Sequence, residues 1–297
     1  MLMGRSMGLV VFLVAGLVLT LFAQDLWGAL LTANLRTGIA LPWSAPAIGL
    51  IFWAAWWYLG GAGPPASSAP ARRRYRRANQ VSAGVFAWAL LANALAITAL
   101  AGGWIVVFQL VKAPGNALPD FSRYPWAAVA VLLATAALAG ALSEEVGIRG
   151  YLQGRLERRL PAPAAIVIAA LIVSPGHGLT QGFVWSTLLF YFAVDVVYGV
   201  TACLTDSILP GVVAHTAGLL VFFTLIWPHD ASRRLVSAGG ADAGFWLHLA
   251  MGLIFGAGSV WCFARLARMT AASRARRTEA PGALAAVRGR TSGLAAP

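Results

Sequence analysis

The sequence predicts an all-α fold, a polytopic membrane protein with about eight transmembrane helices. Three observations carry that reading. Of the 297 residues, 59% are hydrophobic and only 11% charged, with positive mean hydropathy, which is more apolar sequence than a water-soluble core can use. Apolar segments near the ~20 residues that span a bilayer recur along the chain. Basic residues fall mostly on alternate loops, as they do in inserted membrane proteins.

In chain order the apolar segments are 8–23, 45–63, 84–111, 126–142, 164–179, 183–203, 208–227 and 245–266. The first follows Arg5, as a secretory signal would. The run Leu21-Phe22-Ala23-Gln24 makes a poor cleavage site, however, so the segment reads as a retained helix. Residues 1–80 hold two N-terminal helices and a basic cytoplasmic linker (64–80) rich in Pro, Ser and Arg. Residues 81–268 form a six-helix core. Residues 269–297, rich in Ala, Arg and Gly, read as a disordered basic cytoplasmic tail lying on anionic membrane lipid. With the N-terminus inside, seventeen of the 22 basic residues fall on the inner side, and five (Arg36, Lys112, Arg123, Arg233, Arg234) on the outer. That asymmetry favours eight spans with both termini cytoplasmic, and an odd number would spoil it.

The same features exclude several classes. A net charge of +12 could suggest a nucleic-acid partner, but the basic residues cluster in loops and tail without aromatic interleaving or a nucleic-acid motif. Cys203 and Cys262 supply neither a disulfide framework nor a thiolate metal site. No internal repeat or inverted half is visible, which argues against transport.

The most informative stretch is Ser143-Glu144-Glu145-Val146-Gly147-Ile148-Arg149-Gly150, directly after the fourth apolar segment. Ionisable groups at membrane depth are costly and face a bundle interior or a wet cavity, so they are functional-site candidates by default. On a helix Glu145 and Arg149 stand i,i+4 and can pair. Glu144 lies roughly 100° around the axis and is left for chemistry. Two histidines in later spans join the candidates, His177 in Val173-Ser174-Pro175-Gly176-His177 and His215 in Leu209-Pro210-Gly211-Val212-Val213-Ala214-His215. Carboxylates and imidazoles together suit water activation, with one group accepting the proton and another orienting the water or stabilising an oxyanion. The literal segment boundaries put Glu144 and His177 near opposite faces. A shared site therefore requires the fourth helix to continue past Arg149 toward Leu156, and the fifth to break near Pro175-Gly176.

This set resembles the CPBP family of intramembrane proteases (CAAX protease and bacteriocin-processing, also called Abi). The motif Glu-Glu-x-x-x-Arg is met at Glu144, Glu145 and Arg149, followed by Gly150-Tyr151. Phe-x-x-x-His is met at His177, with Val173 in place of Phe, and His-x-x-x-Asn at His215, with Leu219 in place of Asn. The resemblance implies a CPBP-type helical bundle and an endopeptidase, often labelled a metalloprotease, that cleaves a membrane-proximal and possibly prenylated peptide. It implies that Glu144 and His177 activate water, that Glu145 and Arg149 form a supporting pair, and that His215 stabilises the oxyanion, with Thr216 or a water able to stand in at Leu219. Glu144, His177 and His215 are also an acceptable zinc set. No His-Glu-x-x-His helix is present, and a water held directly by Glu144 and His177 explains the same residues without metal. A prenylated Cys peptide, a bacteriocin leader and a membrane anti-sigma factor all suit such a cavity, in a bacterial inner membrane. Val173 and Leu219 favour an alternative, a non-catalytic membrane scaffold or regulator that keeps the protease fold.

Other polar residues carry plainer readings. Asp195 is expected to bond a neighbouring helix or line the cavity. Asp206 and Ser207 read as a helix N-cap, and His229 and His248 as interfacial groups. Trp53, Trp56, Trp57 and Trp227 read as belt and packing residues. Arg155, Arg158 and Arg159 read as topology and headgroup contacts, with Glu157 as their counter-charge.

Overall fold

A computed structural model describes residues 2–112 and 119–291, and among these every regular element is helical. In chain order the main helices are α1 (Leu2–Arg36), α2 (Ser44–Leu59), α3 (Ala69–Arg76), α4 (Ala83–Leu110), α5 (Trp126–Leu156), α6 (Ala162–His177), α7 (Trp185–Thr205), α8 (Leu209–Ser232) and α9 (Ala243–Thr291). Among the described residues six of them, α1, α4, α5, α7, α8 and α9, contain stretches long and apolar enough to cross a membrane. α2 and α6 are shorter apolar helices, so each of the eight expected segments corresponds to a helix. Helices are required because hydrocarbon offers no partner for an unpaired backbone N–H or C=O. Leu253, Ile254, Val260 and Trp261 stand exposed on α9, as do Leu171 on α6 and Trp126 on α5. Such apolar outer faces suit lipid rather than water.

Two features that a shared site requires are present, in α5 and α6. The fourth helix continues past Arg149, α5 running to Leu156, so Arg149 is a buried residue within a helix. The helix persists there because residues Glu145–Gln153 take up π-helical bonding, which absorbs the polar stretch without leaving backbone groups unpaired. α9 runs on to Thr291, into the stretch expected to be disordered, and 292–297 lie outside the described residues. α6 closes with a 3₁₀ turn at Ser174–His177, where Pro175 supplies no backbone N–H.

Glycines let helices meet. A Cβ on Gly102 of α4 would lie 2.6 Å from the His248 carbonyl oxygen of α9, so the two backbones nearly touch. α1 crosses α5 in the same way: a Cβ on Gly16 would fall 2.6 Å from the Gly147 carbonyl oxygen, and one on Gly147 would clash with Thr20 Oγ1. Lipid tails are as apolar as Leu, so close backbone approach of this kind is a main source of helix association in membranes. An apolar cluster around fully buried Trp104, with Phe108, Tyr191, Phe222 and Ile226, joins α4, α7 and α8. The Trp104 indole donates to Asp230 Oδ2 at 2.9 Å.

The stretch between α2 and α4 is a folded hub. Arg72 donates to the carbonyls of Ala62, Gly63 and Pro64. Arg77, in the left-handed region at φ 53°, pairs with Glu157 at 2.7 Å and Asp206 at 3.3 Å and donates to the Arg149 carbonyl. Glu157 thus answers Arg77, while Arg155 and Arg158 donate to the Tyr75 hydroxyl. Ser207 Oγ accepts the Leu209 N–H at 3.2 Å and donates to the Asn79 carbonyl. Adjacent glycines on α4 provide a check on the packing. Gly102→Ala should destabilise the protein by about 1–3 kcal/mol through overpacking. Gly103→Ala, with nothing within 4 Å of its Cβ, should stay within about 0.5 kcal/mol of wild type, both read by thermal unfolding in detergent.

Candidate active site

The polar residues singled out from the sequence meet where α5, α7 and α8 pack together, with α1 closing one side. Arg149 is almost fully buried at 1% exposure. Its closest acidic partner is Asp195 on α7, at 2.7 Å, with Glu145 Oε1 at 3.7 Å and Glu144 Oε2 at 3.9 Å. The expected Glu145–Arg149 pair is thus present but loose, and the tight ion pair is made by Asp195, which was read only as a cavity or hydrogen-bonding residue. The π-helical stretch explains the wider reach of Arg149. In i→i+5 bonding residue 149 sits beneath 144 as well as 145, so one guanidinium addresses both glutamates.

His215 on α8 lies between the two glutamates. Its Nδ1 is 3.3 Å from Glu145 Oε1, and its Nε2 is 3.8 Å from Glu144 Oε2. An ionised carboxylate only accepts, so in the tautomer protonated at Nδ1 this nitrogen donates to Glu145. The ring stacks on Tyr198 of α7 at 4.3 Å and 15°. α8 can approach this closely because residue 211 is Gly: a Cβ there would lie 2.5 Å from Glu145 Oε2. Side-chain exposure separates the glutamates, 0% for Glu145 and 14% for Glu144. Glu144 is the more exposed of the two.

His177 arrives from the other direction. It sits half-buried in the 3₁₀ turn ending α6 and stacks on Tyr191 of α7 at 3.8 Å and 8°. It lies within electrostatic range of both Glu144 and Asp195. The structure therefore gathers Glu144, Glu145, Arg149 and His215 by direct contact, with His177 facing the same charges. The two departures from the motifs are also placed. Leu219 is half-buried, and its Cδ1 packs at Gly140. The Thr216 hydroxyl is spent on the Val212 carbonyl at 2.7 Å, so it offers no proton toward the site from that position.

A zinc set of Glu144, His177 and His215 does not fit this arrangement. Among the described residues no three His, Cys, Asp or Glu side chains are grouped so as to hold a metal ion.

Two residues escaped the sequence reading. Gln24 on α1 donates from Nε2 to Glu144 Oε1 at 3.0 Å, and the Trp27 indole donates to Gln24 Oε1 at 2.6 Å. The available signal was a polar side chain in an apolar run with an indole at i+3. The first segment was ended at Ala23, and Gln24 was weighed only as part of a cleavage site.

With this geometry in hand, comparison with known proteins is informative. Residues 125–221 match the family model described as type II CAAX prenyl endopeptidase, Rce1-like. Over that stretch the chain is similar to this family. The matched stretch contains α5, α6, α7 and Leu209–Val221 of α8, and with them all five residues of the CPBP motifs. It supports an intramembrane endopeptidase of the CAAX type acting on peptide substrates at a membrane. No curated protein and no solved structure matched the chain.

Removing Asp195 takes away the only acidic partner within hydrogen-bond distance of the buried guanidinium, leaving Glu145 and Glu144 at 3.7 and 3.9 Å. Asp195→Ala should therefore destabilise the bundle by about 3 kcal/mol, measured by thermal unfolding in detergent. Asp206→Ala, whose partner Arg77 keeps Glu157 at 2.7 Å, should cost clearly less.

Proposed function

We propose that this protein is an intramembrane endopeptidase of the CPBP type, in which Glu144 is the base that activates water. The observation that carries this reading is the asymmetry between the paired glutamates. Glu145 is fully buried and tied to His215 and Arg149, whereas Glu144 keeps 14% exposure beside the same groups. Water held by Glu144 and His177 loses a proton to Glu144, and the hydroxide attacks the scissile carbonyl carbon. His215 faces the oxyanion that forms and stabilises it. Collapse of the tetrahedral intermediate breaks the C–N bond, and the leaving amine takes the proton back from Glu144. Glu145, Arg149 and Asp195 hold the histidine and the base in place.

The substrate class suggested by the family match is a peptide carrying a prenylated cysteine near the membrane surface. A bacteriocin leader or a membrane anti-sigma factor would suit the same chemistry. The loop charges support both termini in the cytoplasm, and the Arg bias supports a bacterial inner membrane. Leu219, an apolar side chain where the motif carries Asn, supports a second reading: a membrane scaffold that retains the fold and binds a partner without cleaving it.

Cleavage of a quenched prenyl-peptide panel by the purified full chain in detergent separates the two readings. Glu144→Ala should lower the rate by about 10²–10⁴-fold. If instead wild type cleaves nothing and Glu144→Ala restores function in a deletion strain, the scaffold reading replaces the enzyme. A zinc chelator such as 1,10-phenanthroline should leave the rate unchanged. Loss of activity that added zinc restores would overturn metal-free water activation.

A further inference from the structure

The active-site region contains a polar chain that the mechanism above leaves unused. Trp27 Nε1 donates to Gln24 Oε1 at 2.6 Å, and Gln24 Nε2 donates to Glu144 Oε1 at 3.0 Å. The indole nitrogen has only a proton to give. It therefore fixes the amide orientation: the Gln24 oxygen faces Trp27 and the nitrogen faces Glu144. With Oε1 engaged by α1, Oε2 is the oxygen of Glu144 that lies toward His215 and Arg149, at 3.8 and 3.9 Å.

The surroundings hold the amide in place. Gln24 and Trp27 are both half-buried. A Cβ on Gly140 would meet Leu219 Cδ1 at 3.4 Å, Trp27 Cζ2 at 3.8 Å and Gln24 Oε1 at 4.0 Å. These three side chains therefore share one corner beside Glu144. α8 contributes an apolar group to that corner, and the amide comes from α1. The close crossing at Gly16 and Gly147 sets the height of α1 against α5. Two turns further along α1, that height brings residue 24 level with residue 144.

We infer that Gln24 is a positioning residue for Glu144, locked by Trp27, and that it determines which carboxylate oxygen is presented to water. The inference rests on the reading of Glu144 as the base. Gln24 touches no reacting atom and acts through the carboxylate. Its effect belongs in the chemical step, because a base held about 1 Å out of place can lose 10²-fold in rate while substrate still binds.

The test uses the full chain in detergent with a prenyl-peptide that wild type cleaves. Gln24→Met keeps length and volume but cannot donate, and Trp27→Phe keeps the ring but loses the N–H. Gln24→Met should lower kcat about 10- to 100-fold with KM within about twofold and thermal stability near wild type. Trp27→Phe should lower kcat less, and the double variant should be no slower than Gln24→Met alone, because Trp27 acts only through Gln24. Wild-type kcat in Gln24→Met overturns the inference. So do losses in the two single variants that multiply in the double one, or a fall in kcat that tracks a fall in stability. Glu144→Gln tells this failure from failure of the underlying reading, since an active Glu144→Gln removes Glu144 as base whatever the Gln24 variants do. An activity-independent readout completes the test. The Glu144 carboxyl band, isolated as the infrared difference between wild type and Glu144→Gln, should shift in Gln24→Met, and an unshifted band overturns the inference.

Discussion

Arg149 is a guanidinium buried within a membrane bundle, and the placement of three helices follows from the need to answer its charge. An isolated ion at that depth costs several kcal/mol, so it persists only where carboxylates converge on it. Asp195 brings α7 to within 2.7 Å, while Glu145 and Glu144 come from the same helix as the arginine. Glu145 in turn fixes His215 and with it α8. Three carboxylates facing one guanidinium leave a charge set by how many protons the cluster holds. His215 sets a ring nitrogen toward each glutamate.

Apolar packing alone gives helices in lipid little sense of register, because a leucine gains little by exchanging lipid for protein. Here register comes from short-range contacts of two kinds. Charged contacts align α5, α7 and α8, and glycine contacts at Gly16, Gly147 and Gly211 set how near the backbones come. Both kinds act on the π-helical stretch of α5. At one end of the bundle the hub around Arg77 grips the Arg149 carbonyl, Glu157 and Asp206. Elements far apart in sequence therefore support the same few residues.

Much of this was legible in the chain itself. Two glutamates and an arginine after an apolar run cannot be explained by lipid, and Pro175-Gly176 before His177 signals a broken helix. Those residues announce themselves by being expensive where they stand. The rest was hidden because its cost is invisible in one dimension. Asp195 could not be assigned to Arg149 without knowing that α7 faces α5. The π-helical bonding within α5 was hidden because it leaves no periodic mark in nine residues. Gln24 looked like the end of a span because an amide is ordinary at a membrane surface, and only the crossing at Gly16 places it in the interior.

That crossing has a consequence for how the molecule is made. α1 leaves the ribosome before α5, and the glycine it must meet, Gly147, is more than a hundred residues behind it. Until α5 has been inserted, the Gly16 face and the Gln24 amide have only lipid or other early helices beside them. α1 must therefore stay within reach of the insertion site during synthesis of α2, α3 and α4, and then dock sideways. The contact between Gln24 and Glu144 is thereby deferred until α5 is in the bilayer, so a product stalled before α5 lacks it.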